Sequence, residues 1–199
     1  MPENILLNIP IPPEKPTPPP RSNWRKNSEI LSILEADPII GKIIEAESSG
    51  DPLVKSNKGA IGLMQIMPKT AEEGAGYGID YTLDRDELLD PVKNVKFGSK
   101  YFQGLRKHLG GDNYDALIAY NWGPGNYLKW KAGGKYKVSD GKGGEKIIEY
   151  TGGSFDELPE ETRDYVNKIL DWDQYIMPEQ KHTGGMISRN PYPYNPRPI

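Results

Sequence analysis

The stretch Asp37-Pro38-Ile39-Ile40-Gly41-Lys42-Ile43-Ile44-Glu45-Ala46-Glu47-Ser48 decides how the chain is read. Ile40, Ile43 and Ile44 stand seven, four and three residues before Glu47, which places all four on one face of an α-helix. Asp37 is expected to cap that helix, with Pro38 at its first position and Gly50 and Pro52 ending it. Glu45 lies off the apolar face and should meet water. A carboxyl set among isoleucines is penalised when it ionises, so Glu47 should titrate above the value of about 4.3 of a free glutamate. Such a group suits a general acid that protonates a leaving oxygen. A glutamate at a helix end can equally be solvated, or paired with Lys55 or Lys58, so its neighbours decide its meaning.

Downstream lie two segments that change the odds. Gly59-Ala60-Ile61-Gly62-Leu63-Met64-Gln65 is a glycine-punctuated turn, and Ala119-Tyr120-Asn121-Trp122-Gly123 joins aromatic and amide groups. A polar, aromatic, glycine-lined groove fits a sugar chain. Gly62 lets main chain approach such a ligand, and Gly59 does so or simply makes a turn. Gln65 offers a donor and an acceptor. Tyr120, Trp122 and Tyr165 offer flat faces to sugar rings, although Tyr120 shares a face with Leu117 and can pack in the core. Asn121 either steadies Glu47 or caps its helix before Gly123.

The remaining pattern is helical. A helix is predicted over Pro68 to Glu73. Asp90-Pro91 opens a long one carrying Val92, Val95, Tyr101, Phe102, Leu105 and Leu109, closed by Gly110 and Gly111. Others are predicted over Asn113 to Trp122 and Pro159 to Tyr175. Tyr136 to Ser139 and Glu145 to Tyr150, flanking Asp140 to Gly144, read as a β-hairpin. The fold class is therefore mainly α with a small hairpin. Pro10, Pro12, Pro13, Pro16, Pro18, Pro19 and Pro20 favour extended polyproline structure. Thr183 to Ile199 is similarly rich in Pro and Tyr. Three regions follow: a Pro-rich arm over 1–27, a catalytic domain over 28–177 and a Pro/Tyr-rich tail over 178–199. The arm and tail are linkers, or docking arms for a partner.

Composition narrows the function. With 199 residues and a net charge of −3, nothing marks the chain as a binder of nucleic acid. It has no cysteine, hence no disulfide, thiolate metal site or cysteine nucleophile. No apolar run reaches the length of a transmembrane segment. The N-terminus lacks the marks of a secretory signal. His108 and His182 are isolated, so no metal is expected, and His108 should meet carbonyls at its helix end. The Gly141-Lys142-Gly143-Gly144 loop lacks phosphate-loop spacing. No cofactor is expected.

Four segments, in order, resemble the motifs of the soluble lytic transglycosylase (SLT) family: Glu47 to Pro52, Ser56 to Ala71, Ala119 to Gly125 and Glu161 to Val166. Asp90, Pro91, Asn94, Gly98, Tyr101 and Leu105 resemble the helix between the second and third. The resemblance spans about Pro38 to Tyr175, and its departures are Trp122, where a small residue is usual, and the glycine-rich stretch Lys131 to Phe155. It implies a lysozyme-like (goose-type/SLT) helical domain that cleaves the β-1,4 bond between N-acetylmuramic acid and N-acetylglucosamine of peptidoglycan glycan strands. Carried over by position, Glu47 is the sole acid/base. Ser56, Gln65, Tyr120 and Asn121 line the cleft, Tyr165 lies near the acid, and Met64 belongs to an apolar floor.

Most glycosidases need two carboxylates. No second acid has an obvious catalytic place here, and Asp51, before Pro52, reads as a local turn cap. A single acid suffices when the sugar supplies the nucleophile, which is the chemistry the resemblance implies. A hydrolytic goose-type lysozyme and a structural virion protein carrying a glycan-binding domain are the competing readings. A wall-cutting domain without a secretory signal, flanked by proline-rich ends, resembles enzymes that bacteriophages carry in the virion, where the tails would dock on other virion proteins. Delivery by a bacterial secretion machine is the alternative setting.

Overall fold

A computed structural model describes residues 24–73 and 76–170. The described residues form seven α-helices and one two-stranded antiparallel sheet. In chain order these are α1 (Ser28–Ala36), α2 (Ile39–Ser48), α3 (Pro68–Glu72), α4 (Pro91–His108), α5 (Asn113–Trp122), α6 (Pro124–Ala132), β1 (Gly134–Ser139), β2 (Glu145–Tyr150) and α7 (Glu160–Leu170). The mainly α expectation with a hairpin holds. The predicted continuation of the last helix to Tyr175, the C-terminal boundary at 177 and the tail lie outside the described residues.

The apolar stripe of α2 is buried as its spacing requires: Ile40 and Ile43 are fully covered and Ile44 nearly so. Burying each such side chain stabilises the fold by about 1.5–3 kcal/mol. The stripe belongs to one core with Phe97, Phe102 and Leu105 of α4, Leu117 of α5, and Val166 and Ile169 of α7. Helix α5 packs against α4, α6 and α7, and α2 packs against α7. That arrangement brings the end of α2 beside the third and fourth sequence motifs.

Local chemistry accounts for most boundaries. Asp90 caps α4, accepting from the amides of Val92 and Lys93 at 2.8 and 3.1 Å, with Pro91 in the first turn. Asp37 does not cap α2 as expected. It follows α1, and its carboxylate takes a 2.7 Å ion pair from Arg106 of α4. Pro38 is the residue before α2, and no side chain caps that helix. Helix α1, not foreseen, is capped by Asn27, whose side chain accepts from Glu29 and Ile30. Ahead of it Trp24 is 4% exposed, and its indole donates to the Gly50 carbonyl at 3.0 Å. Packing therefore reaches into the region read as the arm over 1–27.

The hairpin pairs Gly134 with Tyr150 at its base and Ser139 with Glu145 at its tip. Asp140 closes the loop by accepting from the amides of Lys142 and Gly144. Among the described residues no helix is long and apolar enough to cross a membrane.

Candidate active site

Glu47 stands in the last turn of α2 and is half-buried, while Glu45 is exposed. Ser48 fixes this helix end to the neighbouring loop. Its hydroxyl lies 2.9 Å from the Ile44 carbonyl and 2.8 Å from that of Leu63, and it accepts from the amide of Gly50. Asp51 bonds the amide of Leu53 at 3.0 Å, a local turn as the sequence indicates.

The loop from Val54 to Ile66 is built around a side chain from another element. Asn94 of α4 is fully buried; its amide nitrogen donates to the carbonyls of Ile61 and Leu88, both at 2.9 Å, and its oxygen accepts from the Met64 amide at 2.8 Å. Gly62 sits against this group with φ +80, and a Cβ there would collide with the Asn94 side chain and the Leu88 carbonyl. Its glycine character thus serves the contact with α4. Met64 is fully buried, its side chain against Gly98 of α4, so it supports the loop from beneath. Its carbonyl accepts from the Tyr120 hydroxyl at 2.8 Å. Gln65 adopts φ 45, and its Nε2 donates to the carbonyls of Gly62 (2.9 Å) and Val54 (3.2 Å). Both amide hydrogens are occupied, so Gln65 keeps only its Oε1 acceptor for a ligand, not the donor and acceptor expected. Ser56 ties the turn before it, its hydroxyl accepting from the Ala60 amide at 3.0 Å.

Helix α7 closes the other side. Glu161, Tyr165 and Lys168 are spaced by four and three residues, hence on one stripe, and all three act on Glu47. Burial pushes the Glu47 carboxyl from 4.5 up to about 7; the Tyr165 hydroxyl opposes this, the Glu161 carboxylate adds to it, and the Lys168 ammonium lowers it. The Tyr165 hydroxyl is buried and has no hydrogen-bond partner of standard geometry, yet it is near enough to Glu47 to favour the carboxylate. Tyr120 and Tyr165 are both raised well above the usual 10, first by burial and then by the charge of Glu47. They remain neutral phenols throughout the working range. Lys58 pairs on the surface with Glu161 at 3.4 Å.

Asn121 is connected to α7. Its Oδ1 accepts from the Thr162 hydroxyl at 2.9 Å, and among the described residues it makes no hydrogen bond to Glu47. Trp122 is half-buried and packs edge-to-face on Tyr150 of β2, ring centroids 6.0 Å apart, so it carries the hairpin at the end of α5. The residues whose roles were not foreseen are Asn94, Thr162 and Ser48. Each lay inside a recognised segment, but only tertiary contact reveals what it bonds.

No cluster of residues that could hold a metal occurs among the described residues. His108 meets the Gly104 carbonyl at 2.8 Å and the edge of Tyr77. His182 lies outside the described residues.

The fold thus defines a helical domain in which one carboxyl, raised by burial to about 7, lies at the end of α2 close enough to the neutral phenols of Tyr120 and Tyr165 to act on both. The family model of the transglycosylase SLT domain matches residues 23–140, and the chain belongs to that family. It is 34% identical over 134 residues to the soluble lytic murein transglycosylase of Escherichia coli (strain K12), covering 67% of this chain and 19% of that protein. It is 37% identical over 122 residues to the transglycosylase of Enterobacteria phage PRD1, covering 60% of this chain and 40% of that protein. Among solved structures, the 70 kDa soluble lytic transglycosylase of Escherichia coli superposes with a TM-score of 0.56 at 28% identity, over 76% of this chain and 24% of that one. The chain spans about a fifth of the length of the E. coli protein it matches. The lysozyme-like helical expectation is borne out by these neighbours.

Proposed function

We propose that the chain is a peptidoglycan lytic transglycosylase in which Glu47 is the only acid/base. The observation that carries this reading is the carboxyl pushed up to about 7 by burial at the end of α2, beside the neutral phenols of Tyr120 and Tyr165. At neutral pH such a group is present in both protonation states, which one residue acting first as acid and then as base requires. Glu47 gives its proton to the glycosidic oxygen as the bond from C1 of N-acetylmuramic acid breaks, and the 2-acetamido group steadies the cationic centre. The carboxylate then takes the proton of the C6 hydroxyl, whose oxygen bonds to C1 and closes a 1,6-anhydro ring. Ser56, Gln65, Tyr120, Asn121 and Trp122 line the glycan's path, Gln65 as an acceptor. Gly62 and Met64 hold the loop that carries Gln65.

The setting is local opening of the cell wall during phage genome entry, with the protein carried in the virion and its proline-rich ends docked on other virion proteins. The phage PRD1 relative supports this setting. Mass spectrometry of muropeptides released from purified peptidoglycan tests the chemistry. Wild type should yield anhydro-muropeptides and Glu47→Gln none. Reducing-end products would make the protein a hydrolytic lysozyme, and no release by either would leave a glycan-binding structural protein.

A further inference from the structure

The pair Thr162 and Asn121 carries a step beyond this reading, and rests on it for the identity of the ligand. Thr162 is 1% exposed. A threonine hydroxyl inside a helix commonly bonds back to the carbonyl one turn earlier. Here it reaches across from α7 to α5 and donates to Asn121 Oδ1 at 2.9 Å. A side-chain amide has one acceptor end and one donor end, and nothing in its own shape fixes which faces a ligand. In this structure the hydroxyl is the donor, so the acceptor end is the one that is held. With Oδ1 held by Thr162, the Nδ2 end, with two hydrogens, is left to the half-buried side of Asn121. Its surroundings are those of the proposed cleft: the hydroxyl of Tyr120, the preceding residue, donates to the Met64 carbonyl of the loop that carries Gln65 at 2.8 Å, and Tyr165 follows Thr162 by three residues on α7.

We propose that Thr162 is a positioning residue that presents the Asn121 amide as a donor toward an acceptor oxygen of the glycan, a hydroxyl or an acetamide carbonyl. Gln65 is complementary: its donors are held by the carbonyls of Gly62 and Val54, and it faces the ligand as an acceptor. The site thereby fixes the polarity of both amides from behind, one as donor and one as acceptor.

The test compares Thr162→Val, Thr162→Ser, Asn121→Ala and the double variant Thr162→Val with Asn121→Ala, assayed on purified peptidoglycan well below each variant's unfolding temperature. Thr162→Val should lower kcat/KM about tenfold. Thr162→Ser should restore it to within about twofold, because it keeps the hydroxyl. In the Asn121→Ala background, Thr162→Val should change nothing further, since there is no amide left to orient. Independent, additive losses, or no rescue by serine, would mean that Thr162 merely packs. Binding of an N-acetylglucosamine tetramer in the Glu47→Gln background separates this from the activity itself. If wild type yields no anhydro product the transglycosylase reading falls. Tetramer binding weakened by Thr162→Val, restored by Thr162→Ser and silent without the Asn121 amide would then still uphold the positioning role. Absent or unaltered tetramer binding would overturn it.

Discussion

Between pH 4.5 and 7 the folded chain holds a proton on Glu47 that the unfolded chain gives up. The raised value means that the folded state binds more protons over this window, so stability falls as pH rises through it. The contribution is fully present below about 4.5 and lost above about 7. Glu47→Gln removes the charge that must otherwise be buried. It should leave the melting temperature unchanged near pH 4 and raise stability above pH 7 by about 1–3 kcal/mol, the lower end reflecting the water that still reaches the carboxyl. Thermal unfolding of both proteins at the two pH values checks this; equal melting points at pH 8 would contradict the burial argument. If Glu47 is the acid/base, as proposed, the same carboxyl sets the activity profile. kcat/KM should decline on the alkaline side with a midpoint near 7. Glu161→Gln removes a charge that raises Glu47, so the limb should move to lower pH, and Lys168→Gln should move it to higher pH. Each shift should be a few tenths of a unit and shrink in high salt, because the Glu161 and Lys168 side chains are exposed and screened. Shifts in one common direction would show that Glu47 does not govern the limb.

At the scale of elements, the loop from Val54 to Ile66 depends on α4 through one buried amide. Asn94→Ala would take from the Met64 amide and the Leu88 carbonyl the partner they have now, while the Ile61 carbonyl keeps the Ile66 amide at 3.0 Å. Each buried polar group left unpaired costs about 1–3 kcal/mol, so for two such groups a total loss of about 2–6 kcal/mol is expected. Denaturant unfolding measures it, with Lys93→Ala as the control. Lys93 is a neighbour on the same helix whose 2.7 Å pair with Glu87 is exposed and worth about 0–1 kcal/mol. Comparable losses in the two variants would remove Asn94 from its central place. This contact also marks where sequence stops being legible. Helix α2 and its buried face, the cap and length of α4, helix α5 and the hairpin follow from spacing, capping residues and glycine punctuation, all local signals. Helix α6 was not foreseen: it opens on Pro124, Gly125 and Asn126, residue types common in turns, although proline also opens helices. Helix α1 repeats apolar residues at Ile30, Ile33 and Leu34, but it is only nine residues long and follows a proline-rich stretch. Which carbonyls Asn94 bonds, which end of Asn121 is held by Thr162 and that Asp37 pairs with Arg106 are consequences of packing between distant segments. A single sequence carries no local trace of them.

For the whole molecule, the boundary expected at residue 27 comes into question. Trp24, inside the expected arm, is packed. Its indole is buried against the core, donates to the Gly50 carbonyl just beyond the helix that carries Glu47, and stacks under the guanidinium of Arg25 at 4.4 Å. Removing a buried Trp side chain costs about 3–5 kcal/mol. Trp24→Ala should therefore lower the melting temperature by roughly 10 °C and reduce activity with it, because the turn after the acid loses its tether. Deletion of Met1 to Pro20 stops short of Trp24. It removes a segment from whose proline-rich composition no core is expected, so it should leave both the melting temperature and the release of muropeptides as they are. The proposed virion setting adds a second expectation from the same variant. If the arm docks on other virion proteins, particles assembled with the chain lacking Met1 to Pro20, or lacking Thr183 to Ile199, should not contain it, although the purified variant still cuts peptidoglycan. Immunodetection of purified particles decides the matter: full incorporation of both truncated forms would mean that the arms do not dock, and the domain would then have to reach the wall by another route.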